Sequence, residues 1–132
     1  WMGETSEEDN WLQVDFRTPK EIVAIETRGR GEYQDWTANY KLAWSEDGLD
    51  PWSWYSSDGE PQVFQGNVNE YDSAFNCHDI PIVTRFLRFY PLQYVNFSTI
   101  RWELYTCSKG SLMVTVKTKC NSHNFKFDYT AK

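Results

Sequence analysis

WLQVDF, residues 11–16, sets Leu12, Val14 and Phe16 on one face of an extended chain and Trp11, Gln13 and Asp15 on the other. A period of two dictates a strand buried on one side. The second face, carrying an indole, an amide and a carboxylate, needs an explanation from the rest of the chain.

The same periodicity recurs in IVAIET (22–27), NYKLAW (39–44), WSWY (52–55), TRFLRFY (84–90) and IRWELY (100–105). No segment carries a convincing helical repeat. RTPK (17–20), SEDGLDP (45–51) and SSDGEP (56–61) supply the Asp-Gly and Pro chemistry of turns. Many short strands joined by turns predict an all-β jelly-roll sandwich or barrel. At 132 residues, 40% apolar and 17% aromatic, the chain has enough large side chains for one core.

Successive antiparallel strands reverse direction, so every second connection falls at the same end. On that count residues 1–10, 28–37 and 92–98 form three converging top loops, while RTPK and SEDGLDP occupy the bottom. Such a scaffold presents a binding surface on loops held by a rigid core.

Composition removes several partners. A net charge of −6 gives no long-range attraction to nucleic acid and opposes an anionic bilayer. Membrane lipid is therefore disfavoured. No apolar run is long enough to span a bilayer, and a chain opening on Trp1 reads as a fragment of a longer one. Cys77, Cys107 and Cys120 lack paired CxxC spacing, which favours disulfides in an oxidising compartment over zinc. His78 and His123 have no nucleophile or acid at motif spacing, so catalysis has no support. Trp44, Trp52, Trp54 and Trp102 lie in strand patterns and read as core or barrel-surface residues.

Five blocks in order, DNWLQVDF, TRGRGEYQDWTANYKLAWSEDG, VFQGNVNEYD, PIVTRFLRFYPL and IRWELYTC, closely resemble the discoidin family, the C-type domains of coagulation factors V and VIII. The resemblance covers about residues 1–107 and lacks the family's first strand. It implies a discoidin-like jelly roll that binds its ligand at loop tips, without catalysis, in an extracellular setting, either secreted or in the ectodomain of a cell-surface protein. It also implies that Gln13 and Asp15 support neighbouring backbone, and that Cys107 pairs with a cysteine upstream of Trp1. Residues 108–132 exceed the family pattern and are expected as a β extension or the start of another domain. Cys77 departs from an apolar position in relatives and is either a buried thiol or the partner of Cys120.

The expected ligand-binding residues are Trp1, Met2, Glu4 and Ser6 in the first loop, Arg30, Glu32, Tyr33, Asp35 and Trp36 in the second, and Tyr94 and Phe97 in the third. Each has a plain alternative: a solvated acidic loop, rim packing for Trp36, and mutual packing of the aromatics. Asn96-Phe97-Ser98 is an N-x-S glycosylation acceptor. GNVNEYD (66–72) is either an oxygen-rich structural calcium turn or a tight turn alone; no cofactor and no functional metal are expected. The functional expectation is a noncatalytic adhesion or receptor module for an extracellular protein. A lectin-like module is the alternative, with aromatics stacking on sugars and Arg30, Glu32 and Asp35 bonding hydroxyls; phospholipid binding ranks third.

Overall fold

The computed structural model describes residues 1–3, 10–106 and Cys120. Six strands build the described part: β1 (Leu12–Arg28), β2 (Trp36–Ser45), β3 (Ser53–Trp54), β4 (Phe64–Gln65), β5 (Ala74–Val95) and β6 (Arg101–Thr106). They form one antiparallel sheet in the order β3-β2-β5-β1-β6, with β4 also on β2. The all-β antiparallel architecture expected from the periodicity is the one found.

One sheet becomes two layers because its longest strands bend. Straight, the 17 residues of β1 would reach about 56 Å at roughly 3.3 Å each. Yet the Asn10 amide donates to Ser98 Oγ at 2.9 Å, while Arg28 at the other end pairs with Arg101. Both ends of β1 therefore lie beside one short segment. The fold-over falls where the β1–β5 register breaks, between Asp15 and Lys20. There Arg17 takes φ 66°, and its N–H donates to Asp15 Oδ1 at 2.7 Å.

RTPK is thus a corner within a continuous ribbon, not a hairpin between two paired strands. Its place in the fold is nonetheless the expected one. Lys20 pairs with Thr84, whose hydroxyl donates to the Ser45 carbonyl at 2.8 Å, which brings RTPK and SEDGLDP to the same end.

The core lies between the layers: Ile22, Ile25, Ile82 and Ile100 meet Tyr40, Leu42, Leu87 and Phe89. Leu12, Val14 and Phe16 pack against it, as their alternation requires. The opposite face of WLQVDF holds up two arginines. Gln13 accepts from Arg88 Nε at 2.9 Å, and Asp15 takes Arg85 through both oxygens, at 2.8 and 2.9 Å. Arg88 itself lies over two indoles, 4.0 Å from the Trp11 ring centre and 3.9 Å from that of Trp52. Only Asp15 reaches backbone, at Arg17; Gln13 serves a side chain instead.

Trp44 and Trp102 pack on the core, while Trp54 stays on the outer surface with Tyr90. Cys77 is disulfide-bonded to Cys120, closing a span of 43 residues. The two sulfurs sit in a second cluster with Val23 and Ala24, on the other side of the β1–β5 layer from the main core. Cys107, and with it the expected upstream pairing and the boundary at 107, lies outside the described residues, as does the extension apart from Cys120.

Candidate functional site at the loop end

Three segments distant in sequence meet where β1 leaves the sheet and β2 enters it. Met2 bridges to Thr99, and the Gly3 N–H donates to the Ser98 carbonyl at 2.8 Å, which places the first segment on the third. Asn96 Nδ2 donates to the Gln34 carbonyl at 2.9 Å, joining the third to the second. Arg30 and Asp35 close the second loop on itself through Arg30 N–H to Asp35 carbonyl, 2.8 Å. The loop end is held by hydrogen bonds within and between these segments.

Met2, Arg30, Tyr33, Asp35, Asn96 and Phe97 line a cleft of about 510 Å³. The Arg30 guanidinium lies 3.6 Å from the Tyr33 ring centre, and its Nη1 is 3.8 Å from Met2 Sδ. That arrangement holds a cation over an aromatic face while Tyr33, at 56% exposure, keeps most of its surface open. Phe97 and Met2 are likewise exposed, whereas Asp35 is buried at the cleft base. Among the described residues the cleft offers apolar area, one guanidinium, an amide and the Asp35 carboxylate.

Of the residues expected here, Met2, Arg30, Tyr33, Asp35 and Phe97 come together. Trp1 lines an adjoining cavity of about 210 Å³ with Gly29, Arg30, Thr99, Ile100 and Arg101. Three of the expected residues do not line this cleft. Tyr94, half-buried, pairs with Thr37 one residue before β5 ends at Val95. Trp36 pairs with Val95 and forms rim structure, and Glu32 is exposed without lining the cleft. Glu4 and Ser6 lie outside the described residues.

A fourth segment reaches the same end, which strand counting missed. Asn67 is buried; its Nδ2 donates to the Thr27 and Asp72 carbonyls at 2.8 and 2.9 Å, and its N–H to the Thr37 carbonyl at 2.9 Å. This sets Tyr71 beside Gly31, where an added Cβ would meet the Tyr71 ring at 3.0 Å. The signal lay in GNVNEYD, which the turn reading treated as local. Its oxygens are engaged within the turn: Asn69 Oδ1 accepts the N–H groups of Tyr71 and Asp72, and Asn69 Nδ2 donates to Asp72 Oδ2 at 2.7 Å. A tight turn accounts for the motif, and among the described residues no three acidic, His or Cys side chains are grouped to hold a metal.

With this geometry in place, the comparisons with known proteins become informative. The F5/8 type C domain model matches residues 1–104. The chain belongs to that family. It is 35% identical to rat (Rattus norvegicus) lactadherin over 109 residues, 81% of this chain and 25% of lactadherin. It is 32% identical to human (Homo sapiens) retinoschisin over 108 residues, 81% of this chain and 48% of retinoschisin. Among solved structures, discoidin II of Dictyostelium discoideum superposes with a TM-score of 0.73 at 26% identity, covering 84% of this chain and 42% of discoidin II. The chain therefore spans a quarter to a half of these relatives. The family is one of extracellular adhesion and binding modules, and this domain is extracellular. Among the described residues no helix is long and apolar enough to cross a membrane.

Proposed function

We propose that the domain is a noncatalytic recognition module of an adhesion or receptor protein, and that it contacts an extracellular protein partner through the loop-end cleft. The observation that carries this reading is the Arg30–Tyr33 stack at the mouth of the cleft, flanked by exposed Met2 and Phe97. Aromatic and Arg side chains are the residues that dominate protein interfaces, because they bury large area or make forked hydrogen bonds with little conformational loss. The net charge of −6 supports a protein over an anionic bilayer.

The test is capture of the partner from extracellular material by the wild-type domain, followed by affinity measurement with variants. R30A and Y33A should each weaken binding by about 1 to 3 kcal/mol. T18A and E46A, at the opposite end, should change it by less than about 0.5 kcal/mol. Asp47 is a poorer control than its exposure suggests, since its carboxylate caps the turn by accepting from Ser45 and from the Leu49 N–H. Equal affinity for R30A, Y33A and wild type would refute the cleft assignment. Retention by a glycan array, abolished by Y33A, would replace the protein partner with the lectin-like reading.

A further inference from the structure

The sequon at 96–98 sits in the wall of the cleft, and its three residues have opposite environments. Asn96 is exposed, in a left-handed turn conformation at φ 59° that Asn tolerates better than most residues. Phe97 is also exposed, but Ser98 is buried, with its Oγ accepting from Asn10. The Asn96 amide donates a single hydrogen bond, to the Gln34 carbonyl.

We propose that Asn96 carries an N-linked glycan and that its occupancy closes the cleft, so that the unmodified form is the one competent to bind. The proposal rests on reading the cleft as the contact surface.

Attachment is chemically compatible with the folded geometry. In the transfer, Nδ2 of Asn96 displaces the diphosphate of a lipid-linked oligosaccharide at the anomeric carbon. The carbon–oxygen bond to the diphosphate breaks, a carbon–nitrogen bond forms, and Nδ2 gives up one of its two protons to a base, the lipid diphosphate leaving with the electron pair of the broken bond. The remaining N–H suffices for Gln34, so the inter-loop hydrogen bond survives modification. Exposure of Asn96 leaves room for the sugar outside the fold. Because the Ser98 hydroxyl is buried in the finished domain, transfer takes place before the loop end assembles. An extracellular domain passes through the compartment where that reaction occurs. Asn96 lines the cleft together with Phe97, Met2 and Tyr33, so a sugar attached at Nδ2 starts from the cleft lining.

The experiment uses the full-length protein secreted from eukaryotic cells. Peptide mapping after enzymatic release of N-glycans should show Asn96 converted to Asp; a secreted protein whose Asn96 peptide is wholly unmodified would overturn the proposal. Hydroxyl-radical footprinting then compares the glycosylated protein, the same protein after glycan release, and N96Q. Oxidation of Met2, Tyr33 and Phe97 should rise several-fold on loss of the glycan, with Leu49 and Trp54 unchanged. A glycan that leaves those three rates unaltered would overturn cleft closure. Should N96Q fold poorly, the glycan-released protein provides the comparison. Neither readout requires the partner, so failure here is distinguishable from failure of R30A and Y33A to weaken binding.

Discussion

The Arg88 guanidinium lies over the Trp11 ring, 4.0 Å from its centre, and over that of Trp52, at 3.9 Å. This stack ties the first residues of the WLQVDF strand to the loop carrying Trp52, next to the β2–β5 pairing of Ala43 with Arg88. The Gln13 and Tyr90 oxygens accept from Nε and Nη1, at 2.9 and 3.3 Å. Arg88→Ala should therefore destabilise the domain by about 1 to 3 kcal/mol, combining lost cation–π contact and lost packing. Arg88→Lys should recover only part, because an ammonium lacks the planar fork. Urea denaturation monitored by Trp fluorescence measures both. Equal stability of all three proteins would show the stack to be incidental.

Cleavage of the Cys77–Cys120 bond has a calculable effect. Closing a span of 43 residues removes chain entropy from the unfolded state equivalent to about 4 kcal/mol at room temperature. The double variant C77S/C120S should lose stability of that order, measured by denaturant titration under non-reducing conditions. Reduction of wild type should give a similar loss, once the buried bond has been opened by unfolding.

His78 makes stability depend on pH. Burial holds its pKa down to about 4 from 6.5, against the opposing hydrogen bond between Nδ1 and the Ile22 carbonyl. Between those values the unfolded chain binds a proton that the folded one refuses, so stability falls as pH drops from 6.5 to 4 and is fully present above 6.5. The loss from this residue is about 3 kcal/mol. Asp15, held down to about 2 chiefly by Arg85, adds a separate loss below the ordinary carboxylate range, and with the same sign. Between pH 7 and pH 4 wild type should lose about 3 kcal/mol more stability than His78→Phe if the imidazole is the titrating group. Parallel curves would assign the effect elsewhere.

Phe97 and Tyr94 should separate cleanly. Phe97 is exposed at the cleft and Tyr94 pairs with Thr37 in the sheet. Phe97→Ala is expected to weaken partner binding by about 1 to 3 kcal/mol with little change in melting. Tyr94→Ala is expected to lower stability and leave affinity of the folded fraction unchanged. The reverse pattern would return Tyr94 to the contact surface.

Asn67→Ala tests what holds the loop end together. Its amide serves Thr27 and Asp72 carbonyls, which lose a buried donor on truncation, at about 1 to 3 kcal/mol. Hydrogen exchange should speed up in residues 28–37 and 66–72 while the core strands stay protected.

Period-two alternation was sufficient to read most strand segments, though not Phe64–Gln65 or the first half of β5, because burial on one side of a pleated chain writes itself directly into residue order. Five ordered blocks were sufficient for the family, and charge was sufficient to disfavour nucleic acid. Counting strand reversals also brought Met2, Arg30, Tyr33 and Phe97 to one end. Other features were beyond the reach of order alone. That RTPK is a corner and not a hairpin depends on both halves of β1 pairing with the same long β5. That Tyr94 pairs with Thr37 and does not line the cleft depends on where β5 stops, a matter of hydrogen-bond register. Cys77 could have been a thiol or half of a disulfide; only the approach of Cys120 across 43 residues decided it. The Trp11–Arg88–Trp52 stack and the arrival of residues 66–72 beside the second loop are likewise long-range contacts. Local sequence determines which face of a segment is buried, since that depends on a residue's immediate neighbours. Tertiary structure decides which segments share a site, since that depends on the bends and registers that close the sheet.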